Sequence, residues 1–206
     1  SQPKIRVAYN RGFYKTIQFA KTFIDKNSPV TCKMELPEKI NFKLKNKYNP
    51  VLLNTVHGID ILRYLFGDLE IINTTKLHSP EGRISTLKNK NENIINLLMN
   101  WNSPSNFSIN IEAMGRRLEL KPFESCKVYE GMDIIEPTDD IPLRRYMPSE
   151  INSISSFPNS ENDLKPGFYE QALEMKNILD NNMPKTSASL FDAYKTLELT
   201  YKILYV

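Results

Sequence analysis

Between Leu69 and Ile135 the sequence runs through one short apolar-polar alternation after another, and no stretch between them is long enough for a crossover helix. Leu69–Leu77, Ile84–Leu87, Asn93–Trp101, Phe107–Ala113 and Arg117–Lys121 each read as a strand. A hairpin follows, Cys126–Glu130 and Met132–Ile135, folded around Gly131. Strands joined this tightly pair antiparallel with their sequence neighbours. The flanking segments are helical. Phe13, Ile17, Ala20 and Ile24 mark a helix ending near Asn27-Ser28-Pro29. Phe168, Ala172, Met175 and Leu179 mark another after Pro166-Gly167. A last helix is announced by Ser189-x-x-Asp192, with Leu190, Tyr194, Leu197, Tyr201 and Leu204 as its apolar stripe. Two more strands are expected at Lys4–Asn10 and Val30–Leu36, and residues 137–164 read as a long surface loop. The sum is an α+β domain over residues 1–206: a mostly antiparallel open sheet with helices on one face. The other face then needs a cover, for which a second copy of the chain is expected.

The stretch with chemistry in it is 51–68, most of which reads as one apolar helix through Val56, Ile59, Leu62 and Phe66, stopped by Gly67. His57 and Asp60 stand three apart on one face. Two readings are open for the pair. A histidine near a helix start, with a carboxylate one turn on, can hold a fixed tautomer and exchange protons. Equally, His57 can be a satisfied core histidine and Asp60 a polar anchor.

Composition narrows the classes. With 27 basic and 24 acidic residues, the net charge of +3 argues for neither nucleic acid nor an anionic membrane. The lysines near 39–47 suit a solvated loop. Cys32 and Cys126, in no C-x-x-C arrangement, are expected as reduced, buried thiols of a cytoplasmic protein. No apolar run is long enough to span a membrane. The seven glycines make no G-x-G-x-x-G, and no P-loop is present. His57 and His78 stand alone, with no metal-ligand spacing around them.

In this order the segments resemble the C-terminal domain of the Gfo/Idh/MocA oxidoreductases. Val7-Ala-Tyr-Asn-Arg-Gly-Phe13 is similar to the strand that follows the family's nucleotide domain. His57-Gly-Ile-Asp-Ile-Leu-Arg-Tyr-Leu-Phe-Gly67 resembles its histidine helix. Pro166-Gly-Phe-Tyr-Glu-Gln171 and Ser189-Leu-Phe-Asp-Ala193 resemble its closing helices. The likeness covers nearly the whole chain.

That resemblance implies a two-domain enzyme whose N-terminal Rossmann domain, holding NAD or NADP, is absent here; this chain alone is then expected to be inactive. It implies a sugar or polyol substrate, His57 as the acid/base residue and Asp60 as its orienter. Asn10, Arg11, Asn54 and Tyr169 are the expected substrate contacts. There are two departures, one of which is Gly12 in place of the second arginine of the family's first motif. The family often carries an aspartate four residues before the histidine, where this chain has Leu53. A non-catalytic assembly or sugar-binding domain is therefore the alternative reading.

Other residues weigh less. Arg117, Lys121 and Glu124 fit a sugar site or a solvent-facing strand edge. Arg144-Arg145-Tyr146 fits an anionic group or plain exposure, and Tyr169 and Gln171 fit a cleft or simple packing. Met34, Met99, Met114 and Met175 read as core fillers.

Overall fold

The computed structural model describes residues 4–39, 51, 54–78, 82–160 and 163–205. Four helices are present among them: α1 (Lys15–Asn27), α2 (Thr55–Phe66), α3 (Phe168–Leu179) and α4 (Leu190–Leu204). Eight strands accompany them: β1 (Thr31–Glu35), β2 (Glu70–Lys76), β3 (Arg83–Lys88), β4 (Ile94–Met99), β5 (Ser108–Ala113), β6 (Arg116–Leu120), β7 (Ser125–Ile135) and β8 (Arg145–Ser155). They form one open sheet in the order β2-β3-β4-β1-β5-β6-β7-β8, so the α+β class is as expected.

The pairing is not wholly antiparallel between sequence neighbours. β1 inserts between β4 and β5, parallel to β4 and antiparallel to β5. The connection from β1 through α2 and the β2–β4 meander returns the chain to β1's flank. Sequence spacing shows where strands are but not which gap an earlier strand fills.

One face of the sheet is dry. Cys32, Met34, Ile95, Leu97, Ile109, Ile111, Leu118 and Leu120 are buried against Ile17, Ala20 and Ile24 of α1, Ile59 and Leu62 of α2, and Ile203 of α4. Burial pushes both thiols up, away from reactivity. The opposite face is mixed and not wholly apolar: Ile84, Ile94 and Leu98 lie on its β3–β4 side, while the side towards β7 is polar. One cross-strand row there reads Lys33, Asn110, Glu119, Lys127, and the next reads Thr31, Glu112, Arg117, Tyr129. The Arg117 guanidinium lies 4.6 Å from the Tyr129 ring centroid.

Several expectations are corrected. Lys4–Asn10 is not a strand: only Val7 pairs, with Ala188, and Asn10–Phe13 turns into a 3-10 helix. No sheet edge lies beside this segment, so its alternation has nothing to pair with. Gly131 does not close a hairpin; with φ at +71° it bends one continuous strand, β7. The true partner is β8, inside the stretch expected as a loop. The outer half of this ribbon extends past β6, so both its faces meet solvent and the inside-outside pattern is lost. On α4 the buried stripe is Ala193, Thr196, Leu199, Thr200, Ile203 and Leu204, while Leu190, Tyr194 and Tyr201 are exposed. Thr196 and Thr200 bury well because their hydroxyls are bonded, Thr200 to the Thr196 carbonyl at 2.7 Å and Thr196 to Arg63 at 3.2 Å. In α3 only Ile178 is buried, with Phe168 and Leu179 exposed. Met114 is fully exposed, whereas Met34 and Met99 do fill the core. No helix among the described residues is long and apolar enough to cross a membrane.

Candidate functional site

The site is built where the start of α2 meets the 3-10 helix and the segment before it. Gly58 lets α2 lie close on the exit of β1: a Cβ there would stand 2.5 Å from Leu36 Cδ2. That packing brings Leu36-Pro37-Glu38 under the helix N-terminus. Glu38 is buried, and its Oε2 accepts from the Thr55 N–H at 2.7 Å and the Thr55 hydroxyl at 2.6 Å. A carboxylate at this position satisfies free helical N–H groups and faces the positive end of the helix dipole. Its Oε1 accepts from Asn54 Nδ2 at 3.1 Å, and Asn54 Oδ1 accepts from Arg11 Nη2 at 3.3 Å.

Arg11 is held on other sides too. Its guanidinium lies 5.2 Å from the Phe107 ring centroid, and its charge is within electrostatic reach of the Tyr14 hydroxyl. The sequence placed Arg11 and Asn54 among site residues but read Glu38 as part of a solvated loop. No local signal marks it, since Glu38 stands at the exit of β1, far from the start of α2 in sequence.

His57 sits in the first turn of α2, half-buried, with its N–H bonded to the Asn54 carbonyl at 2.9 Å. Tyr9 meets the imidazole edge-on. Burial first, and then the Arg11 charge, lower the imidazole pKa to about 4. The ring is therefore neutral near neutral pH. Its Nδ1 is buried with no hydrogen-bond partner among the described residues. Leu53, where the resembled family often places an aspartate, lies outside the described residues.

Asp60 faces α4: its carboxyl lies near Thr196 and Asp192, and no hydrogen bond joins it to His57. Burial pushes its pKa up to about 7, against the opposing pull of Arg63. Arg63 also reaches the Asp192 carbonyl at 2.6 Å, so α2 and α4 are locked together here. Asn10 donates from Nδ2 to the Pro166 carbonyl at 3.1 Å, tying the 3-10 helix to the start of α3. Tyr169 is exposed and lines a 430 Å3 cleft with Tyr14, Phe157 and Gly167. A second cleft of 550 Å3 holds Asp60, Tyr64, Arg6 and Asp192. Neither of these clefts includes His57.

The structure thus brings His57, Arg11, Asn54 and Glu38 together. Asp60 lies one turn away facing α4, and Asn10 and Tyr169 lie towards α3. A dinucleotide cradle is not offered by these residues. Gly167, with φ at +80°, precedes a helix, but the space a cradle would need is filled by the Asn10 carbonyl. No group of His, Cys, Asp and Glu among the described residues has metal-site geometry.

No family model and no curated protein matches the sequence. Solved structures do match. The MviM dehydrogenase from Clostridium difficile aligns at 18% identity and TM-score 0.64, over 96% of this chain and 60% of that one. The WlbA dehydrogenase from Bordetella pertussis, solved with NADH and UDP-GlcNAcA, aligns at 11% and 0.58, over 95% and 59%. A super-repressor mutant of Gal80p from Saccharomyces cerevisiae aligns at 13% and 0.66, over 98% and 62%. The chain has the fold of the matching part of these Gfo/Idh/MocA-type proteins and spans about 60% of their length.

Proposed function

We propose that this chain is the substrate-binding and oligomerisation part of an NAD(P)-dependent oxidoreductase acting on a sugar or polyol hydroxyl. His57 is its proton acceptor. The observation that carries the proposal is a half-buried imidazole, neutral near neutral pH, in the first turn of α2 in this fold. A neutral imidazole can take the proton of a hydroxyl as the carbon is oxidised. Arg11 opposes the imidazolium that forms, so proton transfer is favoured only when a substrate group offsets the guanidinium charge. Arg11 and Asn54 then hold substrate oxygens, with Asn10 and Tyr169 contributing from the α3 side and Asp60 fixing α2. These residues account for the proton; the hydride and its nicotinamide acceptor belong to a nucleotide-binding domain outside this chain. Homo-oligomerisation is proposed through the mixed sheet face, and sedimentation of the protein checks it.

The test is His57→Asn in the full-length protein. Turnover should fall by roughly 10^2- to 10^4-fold with the circular dichroism spectrum unchanged. Undiminished turnover removes His57 from the mechanism.

A second reading rests on the buried, unpartnered Nδ1 of His57 together with Leu53 in the sequence. Lacking a group to orient the ring, the domain serves binding or assembly alone. The likeness to Gal80p accords with it. Sugar binding without NAD(P)-linked turnover in the full-length protein would select this reading.

A further inference from the structure

We propose that Glu38 is a positioning residue for the His57 site, its buried carboxylate holding Asn54 and, through Asn54, the Arg11 guanidinium against the start of α2. The inference rests on the reading of His57 as the proton acceptor. Three observations carry it.

Glu38 is only 6% exposed although it bears a charge, and a buried carboxylate persists only where its oxygens are bonded. Here they are: Thr55 takes one oxygen twice and Asn54 the other. Its backbone is fixed as well, since the Glu38 carbonyl accepts from the Asn102 N–H at 2.9 Å. The carboxylate therefore comes from a segment anchored beside the sheet and not from the helix itself. Finally, Asn54 has one donor on Glu38 and its acceptor on Arg11, so the amide cannot turn over without losing both bonds. Arg11 is in turn the charge within electrostatic reach of the imidazole.

The sign of one measurement separates this role from simpler ones. The groups around His57 are Arg11 from the 3-10 helix and Tyr9 from the preceding segment, with Asp60 one turn on along α2 and Glu38 bonded to Asn54 and Thr55. Removing the Glu38 charge by Glu38→Gln would by its field alone disfavour the imidazolium and lower the His57 midpoint. Releasing Arg11 acts the other way and raises it. A plain helix cap would change stability and leave the midpoint in place.

The experiment is an NMR titration of the imidazole C–H signals in the full-length protein, the His57 signal being the one lost in His57→Asn. Glu38→Gln should raise the His57 midpoint by roughly half a pH unit or more. Asn54→Ala should raise it equally while Thr55 keeps both bonds to Glu38, and the double variant should add nothing. Should Glu38→Gln fail to fold, Asn54→Ala decides alone. An unchanged or lowered midpoint overturns the proposal. The titration needs no turnover, so a failed catalytic reading, seen as undiminished activity in His57→Asn, is told apart from a failed positioning role.

Discussion

The Tyr9 ring stands edge-on to the His57 imidazole, with centroids 5.3 Å apart and planes at 77°. Tyr9 covers one flank of the imidazole, and burial is the larger cause of that group's low basicity. The tyrosine's own hydroxyl is held protonated, first by burial and then by the nearby Asp60 charge. Removing the ring in Tyr9→Ala admits water to the imidazole. The His57 midpoint should then rise from about 4 towards its ordinary 6.5, by roughly one unit. Tyr9→Phe keeps the edge contact and should leave the midpoint near its starting value. The NMR titration used for Glu38 reads both.

His57 and Asp60 should impose opposite pH dependences on stability. His57 titrates near 4 in the fold against 6.5 unfolded, so its contribution is complete above pH 6.5 and is lost as pH falls towards 4. Asp60 titrates near 7 in the fold against 3.8 unfolded. Its protonated form is favoured by folding, so its contribution is complete below pH 3.8 and is lost as pH rises through 7. Between about pH 4 and 6.5 the two slopes oppose each other. Asp60→Asn should expose the histidine's slope, with stability rising over that range. His57→Asn should expose the aspartate's, with stability falling up to pH 7. Urea midpoints measured across pH 4–8 decide, and parallel curves for the two variants would contradict both assignments.

The same neutral imidazole sets the expected pH profile of turnover. With His57 as the proton acceptor proposed above, activity in the oxidative direction needs the unprotonated ring, so the acid limb of kcat should lie near pH 4 and not near 6.5. An acid limb at 6.5 would mean that the bound state does not keep the ring as buried and as close to Arg11 as it is here.

What could be read from the sequence follows from where one period was at work. α1 and the strands from β3 to β6 are buried on one side only, so their patterns were plain. β8 was missed because its ribbon is wet on both faces, and the stripe of α4 was misread because two bonded threonines are buried where apolar residues were expected. His57, Arg11 and Asn54 were singled out and do converge. Glu38 was not, because its role depends on β1 ending beside the start of α2, a tertiary fact that no local window contains.

Two glycines of α2 should separate fold from site. Gly67 ends the helix with φ at +76° and has nothing within 4 Å of an added Cβ. Gly67→Ala should therefore cost only the backbone strain, about 1–3 kcal/mol, and leave turnover of the full-length protein intact. Gly58 is the opposite case. Its backbone conformation is ordinary, but an added Cβ would meet Leu36 Cδ2 at 2.5 Å and Cδ1 at 2.8 Å. Leu36 is wholly buried, so its side chain has little free space to yield into, and α2 must lift from the exit of β1. Overpacking of this kind costs about 1–3 kcal/mol. The lift occurs beside His57 and above Glu38, so Gly58→Ala should lower kcat by more than its stability loss explains, with KM changing less. Equal effects of the two substitutions on kcat would show that the packing of α2 on β1 does not set the position of the imidazole.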